Sequence, residues 1–192
     1  MTPRIQFEKN EIIEAALEIA KNEGFGGITA RKVAKELGCS VAPIYVNFEN
    51  IEDLIDAVVQ RVYSLSGQFI HEAEGKDYFE KVGRASLSFA RDYPVLLREL
   101  IFKPNPYKLK YDETEQVILE GMRLDPLMKD LKENDRRMLL LKMQIFQVGL
   151  SVMIANDNMP SWLHSEEYEN LLIETGEELM CTVINKKENE KK

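Results

Sequence analysis

Arg31 and Lys32 are the first residues in the chain whose placement suggests chemistry. They follow Thr29, whose hydroxyl is placed to cap a helix, so two cations stand in a first helical turn. Cations there oppose the helix dipole, at a cost of roughly 0.3–1 kcal/mol each. A nucleic-acid phosphate docked on that helix end reverses the sign, because free N-terminal amides bind anions. A second group lies just downstream, in GCSVAPIYVNF, residues 38–48. Val41, Ala42 and Pro43 are small enough to let a backbone approach bases closely, and their apolar atoms can touch thymine methyls. Tyr45 and Asn47 can hydrogen-bond phosphates or base edges. Within residues 29–48 the charges are Arg31, Lys32 and Lys35 against Glu36, a balance of +2, although the whole chain carries −8.

The elements that must position these groups read as helices. Ile12, Ala16, Ile19 and Ala20, with Ile13 and Leu17 beside them, form an apolar stripe over a first helix at about 8–23. Gly24 suits its C-terminal stop. Thr29 opens a second helix at 30–37, with Val33 and Ala34 inward, and Gly38 ends it. Ser40 is the expected cap of a third, 41–48, anchored by Ile44 and Phe48 one turn apart. Two short helices joined by a glycine-containing turn and braced by a third make a helix-turn-helix unit, whose second helix fits a DNA major groove. Asn50 is the expected cap of a long fourth helix, 51–73.

At this point residues 11–58 resemble the DNA-binding domain of the TetR family of bacterial transcriptional regulators. The likeness rests on Ala15-Ala16-Leu17, Gly24-Phe25, Thr29, Val33-Ala34, Gly38-Cys39-Ser40, Ile44-Tyr45, Phe48 and Leu54. RDYPVLLRELIF, residues 91–102, resembles a weaker pattern of the family's ligand-binding part. The resemblance implies a homodimer on double-stranded operator DNA, usually a repressor, released by a small molecule. Carried over by position, it makes Thr29 and Tyr45 phosphate contacts and puts Ser40, Val41, Ala42, Pro43 and Asn47 at the DNA surface. Two positions depart from the pattern: Ile51 stands where the family commonly has a phosphate-clamping lysine, and Glu49 is acidic beside it. Residues 1–50 hold six basic and seven acidic side chains, so a modest affinity with a shallow salt dependence is expected. A helical interaction protein of the same fold without DNA affinity is the second reading.

The rest of the chain reads as a helical bundle, making the fold class all-α: a DNA-binding domain at 1–50, a ligand-binding and dimerisation domain at 51–187, and a disordered tail at 188–192. Stripes mark helices at 77–92, from Pro94 to Phe102, at 113–131 with a break near Asp125-Pro126, at 134–155 and at 165–186, and residues 103–112 read as a loop. Helix 134–155 is apolar nearly all round and must be buried on more than one side. Its Gln144, Gln147 and Ser151 form a narrow polar stripe that can bind a ligand, link two subunits or lie half-exposed. Gly149 and Gly176 suit a close helix crossing at a dimer interface. Phe89, Phe102, Met122, Met143, Phe146, Gln147 and Met153 are the candidates for lining a pocket for a small hydrophobic effector.

The composition narrows the alternatives. Two cysteines, Cys39 and Cys181, and two histidines, His71 and His164, build neither a disulfide framework nor a metal site, and no cofactor is implied. No Ser-His-Asp set, phosphate-binding glycine loop or HExxH motif suggests an enzyme. With no visible secretory leader and no apolar run judged long enough to span a bilayer, the expectation is a cytoplasmic protein with no membrane partner.

Overall fold

The computed structural model describes residues 7–76, 78–102 and 111–189. Helices dominate them, and no strand occurs among the described residues. In chain order they are α1 (Lys9–Glu23), α2 (Ala30–Glu36), α3 (Ala42–Asn47), α4 (Ile51–Glu72), α5 (Tyr78–Asp92), α6 (Pro94–Phe102), α7 (Tyr111–Leu124), α8 (Glu133–Ala155) and α9 (Tyr168–Asn189). The chain divides into two compact units. One comprises α1–α3, α4 up to Gln68, and α6; the other holds the end of α4 from Phe69, together with α5 and α7–α9.

The first unit closes around the stripe foreseen for α1. Ile12, Ala16, Leu17 and Ala20 are buried, as are Val33 and Ala34 of α2, Ile44 and Phe48 at α3, Leu54, Val58, Val59 and Val62 of α4, and Leu96 of α6. Arg61 of α4 donates to Glu14 of α1 at 2.5 Å. Gly24 ends α1 at φ 75, where its N–H reaches Ala20 O at 2.9 Å. At that φ a side chain would be strained, and a Cβ would also displace the Glu99 carboxyl 2.6 Å away, which accepts from Phe25 N at 3.3 Å. Thr29 caps α2, its Oγ1 accepting from Lys32 N at 3.3 Å. Gly38, at φ 65, lets Cys39 N fold back onto Ala34 O at 2.9 Å, which satisfies a terminal carbonyl of α2 and makes the turn. Asn50 Oδ1 accepts from Asp53 N at 2.9 Å, the cap expected for α4.

Ser40 does not cap α3. The N-cap is Val41, no side chain caps the helix, and Pro43 falls one position nearer its start. The reason is local. With Ser40 as N-cap, Pro43 would be N3, one of the two positions whose N–H a capping oxygen takes, and proline has none.

The second unit has two apolar clusters. One gathers Leu119 and Met122 of α7, Leu139, Leu140 and Met143 of α8, and Met128 and Leu131 of the turn between them. The other joins Leu87, Leu150 and Leu172, with Phe146 against it. The break near Asp125 is real: α7 stops at Leu124, and Asp125 Oδ1 accepts from Leu127 N at 2.8 Å. Buried Arg136 fastens the returning chain by donating to Met128 O, Lys129 O and Leu131 O at 3.3, 3.2 and 2.5 Å. α9 runs to Asn189, so Glu188 and Asn189 are helical rather than part of a disordered tail; 190–192 lie outside the described residues, as do residues 103–110 of the expected loop.

Glu133 accepts from three arginines: Arg123 at 2.9 Å, and Arg136 and Arg137 at 3.3 Å each. The hydrogen bond from Arg123, foremost, holds its carboxyl down to about 2 from the ordinary 4.5. A carboxylate depressed on folding contributes stability above its unfolded value and loses it as pH falls through the folded one. Glu133→Gln is therefore expected to lower the thermal midpoint slightly at pH 7, slightly because the carboxylate is exposed to solvent, and to flatten its decline between about pH 4.5 and 2 by the same small amount, measured by circular dichroism.

One expectation about membranes needs correction. α8 has the length and composition of a bilayer span, with a mean hydropathy of 1.7 over an 18-residue window, 33% of it buried. Lys142 interrupts its apolar run. α9, packed on α8, exposes Glu174, Glu177 and Glu178, and lipid around the pair would have to take in those carboxylates.

Candidate nucleic-acid interface and effector cavity

The α2–turn–α3 segment has one buried side and one bare side. Ile44 and Phe48 point inward, and Ile44 is fully buried. Val41, Ala42, Tyr45 and Val46 are exposed; Tyr45 retains 54% of its surface and Val46 80%. Helical spacing puts 42, 45 and 46 on one face, with 41 a turn before 45. Apolar side chains held in water on one face of so short a helix leave that face without a partner among the described residues. Thr29, Arg31, Lys32 and Ser40 are exposed too, and Pro43 and Asn47 are half-buried.

The chemistry of the expected contacts is uneven. Lys32 is ion-paired with Glu23, so the charge meant for a phosphate already has a partner. No described residue pairs with Arg31. Asn47 Nδ2 donates to Pro43 O at 2.9 Å and to Phe7 O at 3.4 Å, which binds the segment before α1 to α3. Asn47 is thus a brace as much as a surface group. Glu49 is exposed and Ile51 half-exposed beside this face. Val46 was absent from the expected contacts. Its signal was available: it lies one turn beyond Ala42, away from Ile44 and Phe48.

In the second unit a cavity of about 270 Å³ is lined by Met122, Met128, Met143 and Met180, by Leu172 and Ile173, and by Gln147. Of the candidate lining residues it collects Met122, Met143 and Gln147. The others lie elsewhere: Phe89 is buried edge-on against Phe69 at 5.9 Å, Phe146 packs on the Leu87–Leu150–Leu172 cluster, Met153 is exposed, and Phe102, on α6 of the first unit, is 61% exposed. Gly176 also borders the cavity, whereas Gly149 is exposed with open space around it. The expected polar stripe is divided: Ser151 is buried with its hydroxyl unpaired, while Gln147 faces the cavity.

The ionic groups at the cavity are already engaged. Glu80 accepts from Lys76 N at 3.0 Å and from Arg84 Nη2 at 2.9 Å. The backbone hydrogen bond from Lys76, foremost, and then Arg84 hold its carboxyl below the usual range, so it stays charged and satisfied. Arg84 also pairs with Glu169. Lys76 Nζ stands 3.5 Å from Glu177. Gln147 is left as the neutral hydrogen-bonding group of the lining. Among the described residues, no cluster of His, Cys, Asp or Glu could hold a metal.

Residues 12–58 match the model of the bacterial regulatory proteins of the tetR family. That segment is similar to the TetR family. The tetracycline repressor protein class D of Escherichia coli is 27% identical over 86 residues, 45% of this chain and 39% of that one. The chain thus spans well under half the length of that relative. Over nearly the whole chain the TetR-family likeness is one of fold. A TetR regulator of Streptomyces coelicolor superposes with a TM-score of 0.69 at 11% identity, covering 93% of this chain and 98% of its own. A TetR variant of Acinetobacter baumannii in complex with minocycline gives 0.59 at 16%, covering 92% and 96%. The TetR family is one of transcriptional regulators rather than enzymes, and its helix-turn-helix is the segment whose outer face stands bare here.

Proposed function

We propose that this chain is a ligand-responsive transcriptional repressor that grips a palindromic operator as a homodimer through α3, and that a small apolar effector in the second unit's cavity releases it. The exposed face of α3, Val41, Ala42, Tyr45 and Val46 over a buried Ile44, carries this reading. Thr29, Arg31 and Tyr45 contact phosphates; Ser40, Val41, Ala42 and Pro43 meet the groove. Lys32 reaches a phosphate only by leaving Glu23, and Asn47 holds α3 in place.

The methionine-walled cavity supports an apolar effector, because its charged groups are satisfied within the protein and thioethers adapt to varied shapes. Effector binding acts by preference. It favours an arrangement of the dimer in which the two recognition helices no longer match half-sites about 34–36 Å apart.

The test is a mobility shift with purified protein on DNA flanking its gene, followed by an effector screen on the retained complex. Tyr45→Ala is expected to weaken retention at least tenfold. Glu49, Ile51 and the Lys32–Glu23 pair favour the second reading, a fold that has lost DNA affinity. Failure to retain any genomic fragment at low salt selects that reading.

A further inference from the structure

The bare face of α3 lacks the groups with which helices usually read guanine. Two donors in a fork, supplied by arginine or lysine, are the commonest specific contact to guanine O6 and N7. α3 contains no arginine, lysine or glutamine. Its one amide, Asn47, commits its nitrogen to Pro43 O and Phe7 O. Ser40 and Tyr45 each offer a single hydroxyl. What α3 does present outward is hydrocarbon: the methyl groups of Val41, Ala42 and Val46, the last 80% exposed.

One base edge in the major groove offers an apolar partner, the C5-methyl of thymine. We infer that α3 selects its half-site by methyl-to-methyl contact, with Val46 and Val41 specifying thymines. This rests on the operator reading above and adds to it what the operator must contain. The thinness of the electrostatic contribution makes these contacts matter more: with Lys32 paired to Glu23 and Glu49 exposed beside the face, phosphate attraction is weak, and packing must carry more of the affinity.

The experiment has two stages, both with the full chain. Selection from a random duplex library is expected to enrich thymine at adjacent major-groove positions of each half-site. Each such thymine is then replaced by uracil, which pairs identically and lacks only the methyl. Each replacement facing α3 is expected to weaken binding about fourfold, the worth of one buried methyl-sized group, while uracil at flanking positions has no effect. Val46→Ala, on an exposed position that leaves the thermal midpoint unchanged, is expected to weaken binding to the thymine site and to make one of those uracil replacements silent. Enrichment of guanine with indifference to uracil overturns this inference and leaves the operator reading standing. Enrichment of no duplex overturns both.

Discussion

Ile44→Ala is expected to lower the thermal midpoint by roughly 4–20 °C and abolish DNA retention, while Tyr45→Ala leaves the midpoint within about 2 °C and weakens retention alone. The two residues are neighbours in sequence and opposite in burial. Ile44 is 0% exposed, and Tyr45 keeps 54% of its surface. Truncating a buried isoleucine removes transfer energy and leaves a void, together about 2–5 kcal/mol, a large share of a domain's usual 5–15. Little compensates at this site, because α3 has six residues and Ile44 is its only buried one. Tyr45 has no such packing to lose. Circular dichroism melts and mobility shifts on the same preparations separate the two effects. Equal loss of stability in both variants would mean that Tyr45 packs inside; retention surviving in Ile44→Ala would mean that DNA is read elsewhere.

The same contrast shows what the sequence could reveal. Burial of most of the α1 stripe, with Ile13 and Ile19 half-buried at its edges, and the caps at Thr29 and Asn50 follow from local rules, and the structure has them. A Ser40 cap has only the Ala42 amide to accept from, since Pro43 has none, and the helix starts one residue later instead. The Lys32–Glu23 pair joins residues nine apart across an irregular turn, a contact that no periodicity encodes. The cavity was harder for the same reason. A stripe names the buried side of a helix without saying whether it meets a packed neighbour or a space. Phe89 and Phe146 lie on such stripes and pack. Met128 comes from the turn after α7, where helical spacing has no meaning, and so escaped notice. Phe102 closes a helix whose apolar sequence suggested burial, yet it is largely exposed.

A second variant with a large expected effect is Ile145→Glu on α8. The sequence of this helix is apolar nearly all round, but the second unit covers only part of it. Met138, Leu141, Ile145 and Val148 remain exposed, Ile145 by 65%, and their spacing of three, four and three residues draws a straight apolar seam. Such spacing is what one helix presents to another in a coiled-coil-like crossing. Gly149 adjoins the seam with open space above it, room for a close approach. On the homodimer reading a second copy covers this face. Isologous pairing about a two-fold axis then uses the same patch of both chains, so one substitution places two carboxylates in one apolar interface. Their desolvation and mutual repulsion cost several kcal/mol. Ile145→Glu is therefore expected to raise the dimer dissociation constant on the order of 100-fold or more by analytical ultracentrifugation, with circular dichroism unchanged because the side chain is exposed within one chain. Operator retention falls with it, since a monomer engages one half-site without the linked second contact. An unaltered sedimentation coefficient in the variant would move the dimer contact off α8 and leave the seam needing another partner.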